Sequence, residues 1–254
     1  MDATVWAFWS PIPGQGTTLC AMDTAMRLKK MGRKVIVWDM NVSHASFASY
    51  WNIPSFEEDR FEHFYKFLSY PEGMTMDMLK MTMHYHGGMY FVPPLMDYGK
   101  SFSQETYAVC LLLFEKMKQM ADDIVVDGGS GLWHSMAYVA VTEADFVHVV
   151  GRAFFPMVRD WLRLREGLRN EQRTTNRVRA MGLVVQDYEK GLSLRLGDVA
   201  DAMGLPLWGY QMHDVRLLQA INEGNLFTWK GEGIKWKKEA PFVQRVGKEG
   251  GRGR

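Results

Sequence analysis

The sequence predicts an α/β fold, a doubly wound and mostly parallel sheet with helices on both faces. Two patterns predict it. Runs of consecutive apolar residues recur along the chain, and such runs are typical of strands that are buried on both sides. Segments with apolar residues at helical spacing separate these runs, so that strands and helices alternate. A third observation is a glycine-bearing turn at 10–18, between the first strand and the first helix.

The first predicted elements surround this turn. Residues 4–9 are apolar, β-branched or aromatic and predict a buried strand, and residues 19–31 have helical spacing with a stop at Gly32. Residues 34–39 form a second continuous apolar run that ends in the carboxylate of Asp39. The order of strand, glycine turn and helix is the setting of a phosphate-binding loop.

The rest of the chain continues the alternation. A helix is predicted at 56–68, where aromatic residues recur at helical spacing and acidic residues lie in the first turn. Prolines close a short strand at 88–94, and an aspartate and glycines end a strand at 122–129. Further strands are predicted at 145–151, 177–186 and 206–210. Further helices are predicted at 74–83, 103–120, 135–141, 155–168, 194–203 and 215–221.

Composition sets the broad class of protein. Of 254 residues, 47% are hydrophobic and 23% are charged, which suits one α/β domain and excludes disorder. The formal net charge of +1 gives no global attraction to nucleic acid. Cys20 and Cys110 lie in apolar helical contexts and are predicted to be buried thiols of a reducing compartment. The sequence shows neither a signal peptide nor an apolar run of membrane-spanning length, so we expect a soluble cytoplasmic protein.

The last segment differs in composition. From 230 to 254 it holds eight basic and three acidic side chains. We therefore divide the chain into a domain at 1–229 and a basic, flexible tail at 230–254. Ile234, Trp236 and Phe242 are interleaved with lysines. This leaves two interpretations, a solvated tail and a weak interfacial contact, either with a partner or with acidic lipid at the inner face of the membrane.

Ligands of open parallel sheets bind beyond the carboxyl ends of the strands. The loop from Gly14 to Thr18 can offer backbone N–H groups to an anion at a helix N-terminus. The Thr18 hydroxyl is positioned to ligate Mg²⁺, and Asp39 and Asp127 can complete the metal shell through water. The charge that neutralises β- and γ-phosphates is absent, because Thr17 stands where such a loop has lysine.

Each of these residues also has a structural explanation. A glycine turn after a strand can be a tight connection, and Asp39 and Asp127 can cap the turns that follow them. His84 and His86 suggest a metal ligand pair, yet two histidines without carboxylate or cysteine neighbours are more often structural. The arginines between 163 and 179 are interpreted as a solvated face, with DNA or a partner protein as the alternative.

Over residues 3–229 the chain resembles the MinD/ParA group of deviant Walker ATPases. The loop of that group carries a signature lysine before Gly-Gly-x-Gly-Lys-Thr-Thr. Three positions of this chain match the loop: Gly14, Gly16 and Thr18. Ile12 and Thr17 replace the two lysines, and Pro13 replaces the first glycine. The resemblance implies ATP and Mg²⁺ as cofactors, with binding weakened or lost at the altered loop.

Later motifs of the group are also recognisable. Its second acid after strand two, associated with water activation, becomes Asn41, and Asp127 matches the Walker B aspartate. Gln186 stands where an asparagine recognises adenine, and Met212 replaces a proline after the last strand. The resemblance implies catalytic positions at Asp39, Asn41 and Asp127. It implies nucleotide contacts at Pro13, Gly14, Gln15, Gly16, Thr17, Thr18, Gln186 and Met212.

The altered loop is most like that of the TadZ/CpaE-like pilus-assembly branch. We hypothesise a nucleotide-binding protein or pseudo-ATPase with weak or no hydrolysis. As a homodimer with protein partners, it would position or assemble a pilus, secretion or conjugation machine. The alternative is an active ATPase of plasmid or chromosome partitioning that binds DNA non-specifically. Such an enzyme needs another cation, for instance Arg152 or Lys190 from the dimer mate.

Overall fold

The computed structural model describes residues 3–42, 47–51, 53, 73, 75–92, 104–132, 135–175, 178–224, 226 and 231–249. The strands are β1 (Thr4–Ser10), β2 (Val35–Asp39), β3 (His84–His86), β4 (Met89–Val92), β5 (Asp123–Ser130), β6 (Phe146–Gly151), β7 (Ala180–Tyr188), β8 (Leu207–Met212) and β9 (Lys235–Trp236). The helices are α1 (Thr17–Lys30), α2 (Phe47–Tyr50), α3 (Met76–Thr82), α4 (Gln104–Lys118), α5 (Ser135–Glu143), α6 (Phe155–Thr175), α7 (Leu196–Met203), α8 (Val215–Asn222) and α9 (Pro241–Glu249).

The strands of the described chain form one sheet in the order β3-β4-β2-β5-β1-β6-β7-β8-β9. Seven of them, from β4 to β8 across the sheet, are parallel to their neighbours, and the edge strands β3 and β9 are antiparallel. The predicted doubly wound, mostly parallel sheet is therefore confirmed. The carboxyl ends of the central strands β1, β5 and β6 meet at one edge, where the glycine turn follows β1.

Strand β1 shows why the apolar runs are continuous. Successive side chains point to opposite faces of a strand. Val5, Ala7 and Trp9 enter the apolar cluster on one face, and Trp6 and Phe8 enter the cluster on the other. All five are fully buried, because helices cover both faces of the sheet.

Several of the described elements differ from the prediction, among them α2, which was not predicted, and one predicted element cannot be compared. The helix predicted at 56–68 lies outside the described residues. Helix α6 continues to Thr175 beyond the predicted end. Strand β3 was not predicted; it pairs His84 with Phe91 and brings the rings of His84 and His86 to 6.3 Å. Among the described residues, no group of three or more histidine, cysteine, aspartate or glutamate side chains is arranged to hold a metal ion.

The segment after residue 230 is folded over most of its length. Strand β9 pairs with β8, and Ile234 and Phe242 are only 2% and 5% exposed. Arg27 of α1 donates a hydrogen bond to the carbonyl of Ile234, and Asp23 accepts one from its N–H group. The structure thus differs from the predicted flexible tail at 231–249, because Ile234 and Phe242 are buried in the core and Trp236 packs against it partly buried.

Two further predictions concern the cysteines, expected to be buried thiols, and the absence of a membrane-spanning segment. Cys20 and Cys110 are buried free thiols, as predicted. Burial raises the pKa of Cys110 to about 12, so this thiol is unreactive at neutral pH. No helix within the described ranges is long and apolar enough to cross a bilayer.

Candidate nucleotide-binding site

The glycine turn has the backbone shape of an anion-binding loop. Gly14 and Gly16 have φ angles of 72° and 86°, in the left-handed region that favours glycine. Gly16 is also the N-cap of α1, and no side chain caps this helix end. The N–H groups of a first helical turn lack intrahelical acceptors. The start of α1 can therefore direct N–H groups and the positive end of a helix dipole at an anion.

Gln15 fixes this loop to the neighbouring strand. Its side chain is only 6% exposed and is turned inward. The amide Nε2 donates to the carbonyl of Pro13 at 3.1 Å, and Oε1 accepts from the N–H of Arg152 at 2.9 Å. Arg152 directly follows β6. The Gln15 amide thus closes the loop on itself and attaches it to the end of β6.

Asp127 is the charged centre below the loop. Its Oδ2 accepts a 2.5 Å hydrogen bond from the Thr18 hydroxyl, and its Oδ1 accepts one from the Gly129 N–H at 3.0 Å. Thr17 and Asn41 also hydrogen-bond to this carboxylate. Complete burial raises the pKa of Asp127, and these hydrogen bonds oppose that rise. The sequence predicts Asn41, Asp127 and Thr18 at one site, and the structure brings these three side chains together.

Asp39 has a different position. Its carboxylate accepts hydrogen bonds from the N–H groups of Asn41 at 3.0 Å and Phe47 at 3.5 Å. It is 4% exposed and does not line the cleft that the loop opens into. The alternative interpretation, an aspartate that orders the turn after its strand, describes this geometry. Asn41, two residues further on, does line the cleft.

The loop forms one wall of a cleft of about 860 Å³. Every nucleotide contact implied by the resemblance lines it, that is Pro13, Gly14, Gln15, Gly16, Thr17, Thr18, Gln186 and Met212. The lining also includes the apolar side chains of Leu217, Leu218 and Ile221 of α8. Backbone N–H groups together with aliphatic side chains suit a ligand with an anionic end and a flat apolar end.

Gln186 is a buried polar group of this cleft. Its side chain is 4% exposed and hydrogen-bonds to the Cys20 thiol, whose pKa burial raises and this bond lowers. Its Nε2 has no nitrogen or oxygen acceptor among the described residues. It packs over the loop, so that a Cβ atom on Gly16 would lie 3.2 Å from its Cγ. This amide is therefore a candidate donor to a ligand in the cleft.

Three ionisable side chains, Arg152, Asp187 and His213, contact one another at the rim of the cleft. The sequence does not predict this cluster. Arg152 Nη2 lies 3.0 Å from Oδ2 of Asp187, whose Oδ1 lies 2.6 Å from Nδ1 of His213. The hydrogen bond and charge of Asp187 raise the pKa of His213. Arg152 was considered only as a residue from a second copy. Its place directly after a central strand was the signal that it faces its own cleft.

The donor set fits an adenine nucleotide with Mg²⁺. The Thr18 hydroxyl beside a carboxylate provides the hard oxygen ligands that Mg²⁺ uses. The Nε2 of Gln186, which has no nitrogen or oxygen acceptor among the described residues, offers a donor to a ring nitrogen. Bound Mg²⁺ would supply positive charge to the phosphates. Thr17 is the residue that fits such a ligand least well. Its hydroxyl hydrogen-bonds to Asp127, at the position where a phosphate-binding loop carries the ammonium group of a lysine.

The fold of this chain is that of solved MinD and ParA structures. The chain is similar to the septum site-determining protein MinD of Pyrococcus horikoshii, solved with Mg-ADP, at 16% identity over 98% of each chain and a TM-score of 0.67. It is similar to a ParA family ATPase of Chlorobium tepidum at 12% identity, covering 88% of this chain and 90% of that one, with a TM-score of 0.71.

A third similar structure is the MinC:MinD cell division complex of Aquifex aeolicus, at 17% identity over 87% of this chain and 86% of that one, with a TM-score of 0.67. No family model and no curated protein sequence matches the chain. At these identities the likeness establishes the fold, and the function has to be argued from the site.

Proposed function

We propose that this protein binds an adenine nucleotide with Mg²⁺, hydrolyses it slowly or not at all, and acts as a nucleotide-dependent homodimer. One observation carries the proposal. The Thr18 hydroxyl and the Asp127 carboxylate are in contact below a loop of nucleotide-binding shape. The position of the catalytic lysine nevertheless holds Thr17.

Slow hydrolysis follows from what the residues can do. Phosphoryl transfer depends on positioning and on charge stabilisation. Thr17 offers no positive charge, and Asn41 offers an amide that hydrogen-bonds to Asp127 where the group has an acid. Losing one such stabilising group commonly costs about 10²-fold or more in rate. Binding depends more on the N–H groups of the loop, which these replacements leave in place.

The proposed role is to position or assemble a partner machine of the pilus, secretion or conjugation type. The resemblance of the altered loop to the TadZ/CpaE-like branch supports this setting. The MinC:MinD complex, a similar structure, contains a protein partner. A protein that binds nucleotide without turning it over can use the bound state as a signal to such a partner.

A DNA-binding partitioning ATPase is the alternative, and the arginines of α6 argue against it. Arg159 and Arg163 contact Asp160, while Arg165 and Arg169 contact Glu166. Two acidic neighbours on the same helix thus offset about half of the charge of these four arginines. Binding to DNA that falls steeply with salt would favour this alternative.

Isothermal titration with ATP, with and without Mg²⁺, tests the proposal when a phosphate-release assay is run on the same sample. We expect Mg²⁺-dependent binding, with phosphate release near background. Steady release at saturating Mg-ATP would favour the active ATPase. Absence of binding would overturn the proposal and leave a structural descendant of the ATPases. Analytical ultracentrifugation with and without ATP tests the dimer.

A further inference from the structure

The part of the cleft lining that the structure describes contains one strongly basic side chain and no lysine. Among the described residues that line it, Arg152 is the only lysine or arginine. Arginine binds phosphate oxygens through paired N–H donors and remains charged at all physiological pH values. A chain without the loop lysine therefore still has a phosphate-binding group within the same cleft.

The position of Arg152 relative to the loop is fixed by its backbone. Its N–H group donates to Oε1 of Gln15 at 2.9 Å, so its Cα lies beside the loop that would hold the phosphates. Its guanidinium extends along the cleft rim and is 52% exposed. The Arg152 main chain is fixed by its hydrogen bond to Gln15, and about half of the side chain is in solvent. The guanidinium can therefore leave Asp187 for another anion without a shift of β6.

Asp187 holds that guanidinium at the rim. An ion pair as exposed as this one contributes little to stability, and a di- or triphosphate can displace it. Asp187 also accepts a hydrogen bond from His213 at 2.6 Å. The carboxylate therefore keeps a partner when Arg152 leaves, which lowers the cost of the exchange.

We propose that Arg152 supplies, within the same chain, the positive charge that the loop lacks, moving from Asp187 to the phosphates of a bound nucleotide. This inference rests on the proposed function and assigns the phosphate-binding cation of that site. It differs from a cation donated by a dimer mate, because a single copy of the chain holds all of the groups involved.

Nucleotide affinity of four proteins tests the proposal, measured by titration calorimetry with Mg-ATP and by competition with adenosine. The wild type is compared with Arg152→Gln, with Arg152→Lys, and with Arg159→Gln as a matched control. Arg159 is an exposed arginine of α6 that contacts Asp160 and does not line the cleft. We expect Arg152→Gln to weaken ATP binding about tenfold to a hundredfold and to leave adenosine competition within about twofold. Arg152→Lys should retain most of the affinity, and Arg159→Gln should match wild type.

A second arm restores the charge at the loop. Thr17→Lys introduced into the Arg152→Gln protein should recover most of the lost ATP affinity, because Thr17 also lines the cleft. If wild type binds ATP and Arg152→Gln binds it equally well, this inference is overturned and the proposed function stands. If Arg152→Gln weakens ATP and adenosine alike, Arg152 has a structural role and the inference fails. If wild type binds no ATP, the proposed function itself fails.

Discussion

The Thr18 hydroxyl donates a 2.5 Å hydrogen bond to Oδ2 of Asp127, a residue 109 positions away in the chain. The contact joins the first turn of α1 to the end of β5. It places a hydroxyl and a buried carboxylate side by side at the base of the loop, which is the arrangement from which both can reach a Mg²⁺ ion.

Thr18→Val should remove the Mg²⁺ dependence of nucleotide binding, because it keeps the shape of the side chain and loses the hydroxyl. It should also lower the free energy of unfolding by about 1–2 kcal/mol, since Asp127 loses a donor. Titration with and without Mg²⁺, and urea denaturation, measure the two effects. The control is Thr142→Val, another buried threonine, whose hydroxyl donates to the carbonyl of Tyr138 within α5. Thr142→Val should lose stability and keep the Mg²⁺ dependence of nucleotide binding. A Thr18→Val protein that keeps full Mg²⁺ dependence would contradict the metal assignment.

Gly16→Val should abolish nucleotide binding. At φ 86° a β-branched residue is strained, and its Cβ would also lie 3.2 Å from Cγ of Gln186. Gly32→Val is the matched control, because Gly32 has φ 81° and open space around it at the other end of α1. Both variants should lose about 1–2 kcal/mol of stability from backbone strain, but only Gly16→Val should lose ATP binding in calorimetry. Equal ATP affinity in the two variants would mean that the loop is not the binding site.

Phe242→Ala should destabilise the protein by about 2–4 kcal/mol, because it opens a cavity beneath α9. The ring of Phe242 is 5% exposed and lies 5.2 Å from that of Trp236. Phe155→Ala is the control, since Phe155 is 70% exposed and its loss should change stability by no more than about 0.5 kcal/mol. Guanidinium denaturation distinguishes them. Equal midpoints would favour the flexible tail that the sequence predicts.

His148 should make the protein sensitive to acid. The ring is fully buried, stacks on Phe8 at 4.4 Å and contacts Trp208, and burial lowers its pKa from 6.5 to about 3. Between these values the unfolded chain binds a proton that the folded chain does not. Stability should therefore fall as pH drops below 6.5, by up to about 1.4 kcal/mol per pH unit, and this loss should level off near pH 3.

The slope of unfolding free energy against pH measures this effect. His148→Phe should flatten the slope between pH 6 and 4, whatever it does to absolute stability. An unchanged slope would assign the acid sensitivity to other groups. Asp127 cannot account for it, because burial raises the pKa of this carboxyl and a raised carboxyl pKa acts in the opposite direction.

The local sequence pattern was enough to predict the fold. The features that it failed to predict depend on contacts between residues far apart in the chain. The apolar run of β1 and the glycine turn after it are properties of neighbouring residues, so sequence identifies them. Ile234 and Phe242 lie among lysines and were assigned to a tail, although each is buried against elements far away in the chain. Burial there depends on apolar side chains from distant parts of the chain, such as Trp6, whose ring lies 6.1 Å from that of Phe242, and no short sequence window contains both.

In the candidate site, too, some contacts could be predicted from local pattern and others could not. Thr18 and Asp127 could be assigned to one place because the carboxyl ends of neighbouring parallel strands meet at one edge of a sheet. Asp39 occupies the equivalent position on β2, yet its carboxylate is used by the N–H groups of Asn41 and Phe47. The ion pair of Arg152 with Asp187 joins the residue after β6 to the last residues of β7, and only the three-dimensional arrangement reveals it.

The inward-turned amide of Gln15 has an entropic consequence. Ordering the backbone of one residue costs about 1–2 kcal/mol, and a mobile phosphate loop loses this freedom when its ligand arrives. Here the amide already holds the loop to its own carbonyl and to the end of β6. A preorganised loop binds more tightly for the same contacts. This loop therefore has little conformational entropy left to lose when a ligand binds. The saving can compensate for part of the affinity that a lysine would have supplied.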